Sequence, residues 1–217
     1  LEFRRVLFRS GPWIVVGFSG WNDAGGASFD AVMNIVDRYH LMPSVELDCE
    51  DYYDYQILRP VRRVTDSEAT ITWPTTTLWQ GLDEDQPVVC VTGPEPNLRW
   101  RRYCADLIEK FARLDPAGVV VLGAMISDVP HTRPLPVTTT TNSMALQRRL
   151  DVSGGDYEGP TGIVGVLNQE AEDAGIDIRL VSAHLRTLRE ARAVLGRWPR
   201  CRPDWRVQGR RGDPSSR

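Results

Sequence analysis

An α/β fold is predicted, a mostly parallel sheet flanked by helices in a three-layer single domain. Three features of the 217-residue chain lead to it. Short, almost wholly apolar runs recur at residues 12–18 (PWIVVGF), 87–92 (PVVCVT) and 117–124 (AGVVVLGA). Helix-length segments with apolar residues at helical spacing alternate with them. No internal repeat or low-complexity segment breaks the alternation. Strands apolar on both faces need cover on both faces, which helices between parallel strands provide.

Taken in order, residues 12–18 read as a buried strand that runs into a Gly/Ser/Asn/Asp loop. Residues 26–40 follow as an amphipathic helix with Phe29, Val32, Met33 and Val36 on one face. Residues 44–49 (SVELDC) form a second strand, and residues 69–73 with the apolar positions near Leu78 a β-hairpin. The strand at 87–92 is stopped by Gly93-Pro94, and residues 98–114 form a helix with Tyr103, Leu107, Ile108 and Phe111 inward. After the strand at 117–124 comes a loop containing Pro130, Pro134 and Pro136, then a short helix around 142–150. Residues 162–174 return to helical spacing and 176–182 to a strand.

Charge is distributed unevenly. Residues 11–178 hold 12 basic against 25 acidic side chains, whereas residues 179–217 hold 11 arginines against 3 acids. An acidic body argues against a nucleic-acid-binding core, because neutralising phosphates takes clustered Lys and Arg. The basic end, with scattered Trp, Pro and Gly and no apolar period, reads as disordered. Residues 1–10 (LEFRRVLFRS) read as a leader foreign to the domain, which leaves residues 11–182 as the domain and 183–217 as the tail. No apolar run reaches the 18 or so residues of a membrane span. Cys49, Cys90, Cys104 and Cys201 are far apart, without metal-ligand spacing. These features predict a reduced, cytoplasmic protein with no metal or cofactor.

In an open α/β sheet, sites form in loops at the carboxyl ends of strands. Five polar clusters fall there: residues 19–26, 50–60, 93–100, 128–134 and 157–162. Their candidate ligand- or partner-binding residues are Trp21, Asn22, Asp23, Asp51, Tyr53, Arg59, Glu95, Arg99, Trp100, Asp128, His131, Arg133, Thr161 and Gly162. Asp128, His131 and Glu158 are the candidates for catalysis. Each has a plainer reading. Asn22 or Asp23 caps a helix, Asp51 is a turn acid, and Arg99 pairs with Glu95 one helical turn earlier. Asp128 with Arg133 braces its loop, and His131 is an ordinary loop histidine. Pro160-Thr161-Gly162 opens a helix whose free N–H groups could cradle an anion. Trp21, Tyr53 and Trp100 supply flat walls. Together the loops have the composition of a small-molecule pocket or a polar interface, with no Ser-His-Asp order, P-loop or GxGxxG.

The same clusters, as GFSGWNDAG (17–25), DYYDYQILRP (51–60), GPEPNLRW (93–100), LGAMISDVPHTRP (122–134) and YEGPTGIVGVLNQEAEDAGI (157–176), resemble the proteasome assembly chaperone two family in its bacterial, actinobacterial-type branch. The resemblance runs from residue 12 to about 182. It implies a fold akin to the nucleoside phosphorylase/hydrolase architecture and a homo-oligomer. The family's eukaryotic members are non-enzymatic chaperones that help to assemble proteasome α rings, and for the bacterial branch no reaction is implied. A hydrophobic-Tyr-any-residue tail, used for docking on proteasomes, has no counterpart in the terminal Pro-Ser-Ser-Arg here.

Three functions compete. A protein-interaction or assembly factor accords with the missing nucleophile–base pair. An enzyme with a phosphorylase-like pocket would cleave an N-glycosidic bond: Arg59, Arg99 or Arg133 would hold an anion, Asp128 or Glu158 would give a proton or face an oxocarbenium-like centre, and Trp21 or Trp100 would stack on a base. A ligand-binding protein would use the same residues. The family normally continues past the last strand with a VPHY-like stretch and an apolar helix, where this chain reads AHLRTLREARAVLGRWPRC. A change of frame or of assembly near residue 183 is therefore expected. Resequencing the nucleotide source through that point checks it, and an uninterrupted frame in independent clones would overturn it.

Overall fold

β1 (Trp13–Ser19) has no polar face and lies in the middle of the sheet, paired in parallel with a strand on each side. The computed structural model describes residues 11–185 apart from 48, 66–67, 82–87, 129, 131, 133, 153 and 156. The expectations for residues 1–10 and 186–217, and for His131 and Arg133, fall outside the described residues. After β1 come a 3-10 turn (Ala24–Gly26), α1 (Ala27–Arg38), β2 (Met42–Glu46), β3 (Val61–Val64), β4 (Ala69–Thr72) and β5 (Thr77–Gln80). Then follow β6 (Val88–Pro94), α2 (Trp100–Arg113), β7 (Gly118–Ile126), β8 (Val137–Thr140), α3 (Met144–Leu150), α4 (Ile163–Asp173) and β9 (Ile178–Leu185).

Seven strands form one sheet in the order β2-β5-β6-β1-β7-β9-β8, and β3 and β4 form a separate ribbon. The four central strands β6, β1, β7 and β9 are parallel, with Val15 opposite Cys90 on one side and Val120 on the other. The sheet becomes antiparallel where β5 meets β6, β2 meets β5 and β8 meets β9. Alternate residues of the central strands face opposite layers. Ile14, Val16 and Phe18 pack with Tyr103, Leu107 and Phe111 of α2 and Leu167 of α4. Val15, Val88 and Cys90 pack with Val32 and Val36 of α1 on the other face. These are the predicted three layers, and burying each large side chain contributes about 1.5–3 kcal/mol.

Several element boundaries differ from the sequence reading. The partner of Ala69–Thr72 is Val61–Val64, while Leu78 belongs to β5 of the main sheet. Thr65 N–H donates to the Glu68 carbonyl at 3.0 Å at the end of the ribbon, and Pro74 lies between the ribbon and β5. β2 lies at 42–46 rather than 44–49: Pro43 is tolerated because this is an edge strand, and a bulge follows it. Leu47 and Cys49 have left the strand and are buried in the core. Val137–Thr140, within the region read as a proline loop, is a run of β-branched residues that pairs with β9. β9 itself continues through Leu185, beyond the expected end at 182.

A polar knot lies inside the core. Thr76 Oγ1 lies 2.8 Å from Tyr53 Oη and 2.7 Å from Tyr103 Oη, and Tyr53 Oη donates to the Pro94 carbonyl at 2.9 Å. Burial pushes the Tyr53 and Tyr103 hydroxyls well above their ordinary value. Tyr52 reaches about 12, through burial first and then the hydrogen bond and charge of Asp106. Burial also pushes the Cys90 and Cys104 thiols up to about 12. Unfolding returns these groups to about 8.5 for Cys and 10 for Tyr. In alkali the unfolded chain then binds fewer protons than the folded one, so stability falls as pH rises. The melting temperature is therefore expected to hold to about pH 8 and fall steeply by about pH 11. Melting curves across that range check it, and a flat profile would contradict it.

Candidate functional site

The carboxyl ends of β1 and β6 lie side by side, with Ser19 opposite Pro94. Their loops meet the start of α4 at Glu95. Its backbone N–H donates to the Ser19 carbonyl at 2.7 Å. Its carboxylate accepts from Trp21 N–H at 3.1 Å through Oε2 and from Ile163 N–H, the first residue of α4, at 2.8 Å through Oε1. A helix N-terminus carries unsatisfied donors and partial positive charge, so a carboxylate there is stabilised. The first N–H of α4, just after Pro160-Thr161-Gly162, is thus taken by the protein's own glutamate.

Gly162 is buried because the approach leaves no room for a side chain: a Cβ would lie 2.2 Å from Asn22 Oδ1, 2.9 Å from Glu95 Oε1 and 3.1 Å from the Trp21 ring. The Asn22 side-chain oxygen is itself buried with no donor among the described residues. The Asn22 carbonyl accepts from Ala124 N–H at 2.7 Å, which fastens this loop to β7.

Gly26 is the N-cap residue of α1, and Asp23, three residues before it, supplies the side-chain acceptor for the helix's first turn. Asp23 is buried, and its Oδ1 accepts from Ser28 N–H at 2.7 Å, Ser28 Oγ–H at 2.5 Å and Phe29 N–H at 3.4 Å. Between Asp23 and the helix, Gly25 and Gly26 adopt φ of 68° and 78°, a left-handed pair that side chains disfavour. Arg99 does not pair with Glu95. Its guanidinium meets Asp51 at 2.8 Å, with both side chains more than half exposed, a contact worth about 0–1 kcal/mol. Arg99 is also left-handed, with φ of 53°, where it precedes α2.

Two of the expected walls are internal. Tyr53 is buried in the Thr76 knot, and Trp100 packs against the core with Nε1–H donating to the Pro96 carbonyl at 2.6 Å. Trp21 alone of the three is largely exposed, at 61%. Thr161, Asp128 and Glu158 are exposed, and Arg59 is exposed two residues before β3. The structure therefore gathers Trp21, Asn22, Glu95 and Gly162 into one cluster, with the Asp51–Arg99 pair on a neighbouring loop. Sequence reasoning missed Asn97, whose Oδ1 accepts from Asp54 N–H at 3.0 Å and whose N–H donates to the Tyr52 carbonyl at 2.9 Å. Its place in the Gly/Pro-rich loop was the available signal. Shallow cavities of about 220 and 280 Å³ are lined by Asn142, Ser143 and Ile176 and by Tyr52, Arg102 and Asp106, and neither is lined by a predicted site residue.

Glu95→Ala removes one acceptor from each of two loops and is expected to cost about 1.5–3 kcal/mol. Gly162→Ala forces Asn22 or Glu95 aside and is expected to cost about 1–3 kcal/mol. Urea unfolding measures both, and wild-type midpoints would show that the carboxylate does not hold this edge together.

Comparison with known proteins accords with this architecture. A PAC2 family crystal structure from Streptomyces avermitilis is 37% identical, with a TM-score of 0.76 over 86% of this chain and 83% of that one. The Mycobacterium tuberculosis proteasome-assembly chaperone homologue is 38% identical, with a TM-score of 0.73 over 85% and 83%. An archaeal homolog of proteasome-assembly chaperone from Pyrococcus furiosus shares the fold at 13% identity, with a TM-score of 0.60 over 86% and 80%. Among curated proteins none matches. The PAC2 family model matches residues 17–196, and with the two relatives above one-third identity it shows that the chain belongs to the PAC2 family.

Proposed function

We propose that the chain is a non-catalytic interaction or assembly factor of the cytoplasm, which offers the carboxyl edge of its sheet to a protein partner and works as a homo-oligomer. The carrying observation is Glu95: the helix start that would receive a substrate anion is occupied by the chain's own carboxylate. Trp21, which donates to Glu95, and Leu98 and Tyr157, on the segments that lead into α2 and α4, are 61%, 48% and 69% exposed. Exposed large apolar groups within a polar rim are the makings of a protein interface. The likeness to a proteasome-assembly chaperone homologue makes proteasome subunits the first partner to try. No helix among the described residues is long and apolar enough to cross a membrane.

Binding of the purified chain to actinobacterial proteasome α subunits tests this reading. Saturable binding is expected, weakened about tenfold or more by Trp21→Ala with Tyr157→Ala, as for central aromatic anchors. Phosphate and nucleosides are expected to leave the melting temperature unchanged. A ligand at about 100 times its Kd would add about 2.7 kcal/mol, several degrees for a chain of this size. Such a shift would replace this reading with the enzyme or ligand-binder.

A further inference from the structure

The carboxyl edge of the sheet carries more acid than base. Its five loop clusters (19–26, 50–60, 93–100, 128–134 and 157–162) hold seven Asp or Glu side chains against three arginines and one histidine. Asp23 is buried at the first turn of α1, and Asp51 is answered by Arg99 at 2.8 Å. Five acids therefore stand against Arg59 and Arg133. Glu50, Asp128 and Glu158 are exposed, and Asp54 and Glu95 are partly so. Glu95 accepts from backbone donors rather than from a basic side chain. The corner beside it is short of donors as well, since the buried Asn22 side-chain oxygen has none.

Four of these loops are joined by contact into one surface. Asp51 reaches Arg99, Asp54 N–H donates to Asn97 Oδ1, Glu95 accepts from Trp21 N–H, and the Trp21 ring lies against Gly162. Tyr157 closes on the same segment as Gly162, its hydroxyl donating to the Pro160 carbonyl at 2.9 Å. Trp21, the most exposed tryptophan among the described residues, thus stands in a rim of carboxylates. We infer that a protein partner docks on this edge through a basic surface, an arginine of which lies on Trp21. A guanidinium stacks on an indole face and forks onto carboxylates, and it brings the donors this corner lacks. An acidic partner surface would set like charges against each other. The inference rests on the reading of this edge as a protein interface and names the chemistry of the partner's side.

Fluorescence anisotropy of a labelled arginine-rich peptide, with a glutamate-rich peptide beside it, tests this on the full chain. The arginine-rich peptide is expected to bind, more weakly as salt rises, and the glutamate-rich one not to bind. Asp51→Lys with Glu158→Lys, and separately Trp21→Ala, are expected to weaken binding about tenfold or more. Asp37→Lys with Asp173→Lys, at the other end of the sheet, are expected to leave it unchanged. All of these positions are exposed, and circular dichroism confirms that each variant is folded. Equal weakening by the two charge reversals would show attraction to the acidic chain at large and overturn the edge as the site. An arginine-rich peptide that does not bind, or that binds no better than the glutamate-rich one, would overturn the basic partner. The interface reading fails separately. Proteasome α subunits that bind regardless of salt and of the edge reversal would leave it standing and overturn only the basic surface.

Discussion

One carboxylate holds the carboxyl edge of the sheet in shape. β1 and β6 are adjacent and parallel, so their loops emerge together and each leaves backbone donors without strand partners. Glu95, the first residue after β6, reaches the loop after β1 and the first N–H of α4. Because α4 also packs on α2, the same group links the top of the sheet to the helical layer beneath it. A neutral side chain of similar size would complement neither the second donor nor the positive end of the helix.

The loop that follows β2 is supported differently, by aromatic packing and the hydrogen bonds of its tyrosine hydroxyls. Tyr52 meets Tyr103 edge to face at 5.2 Å, and Tyr103 stands 6.0 Å from Phe18. Thr76 joins Tyr53 and Tyr103 by its hydroxyl. Beneath the Asp51–Arg99 pair, burial holds the Tyr52, Tyr53 and Tyr103 hydroxyls protonated.

The layered core was legible in the sequence, and the edges of the sheet were not. Residues 12–18, 87–92 and 117–124 are apolar on both faces, a pattern that only central strands satisfy, and helices spaced like 98–114 show which side they bury. β3 and β8 lack that signal, since Val61-Arg62-Arg63-Val64 and Val137-Thr138-Thr139-Thr140 are mostly exposed. Their pairing depends on where the chain turns back. At the site, the loops that converge could be read from the polar clusters at strand ends. The partners could not: Glu95 is four residues from Arg99 and yet bonds to residues 74 and 68 positions away. Tyr53 and Trp100 looked like walls because an aromatic residue in a polar loop gives no sign of which way it faces.

Glu46 of β2 stands opposite Thr77 of β5. The chain leaves the sheet at one of these residues and returns at the other, having run through the Tyr52–Tyr53 loop and the ribbon on the way. The two ends of that excursion are thus already neighbours, and the entropy of closing a loop grows only slowly with its length. Its outer part can lengthen, shorten or change composition among relatives while the register of the seven strands stays the same. The fold thereby separates what must be kept, a sheet and the edge that Glu95 closes, from a protruding arm free to diverge with whatever it touches.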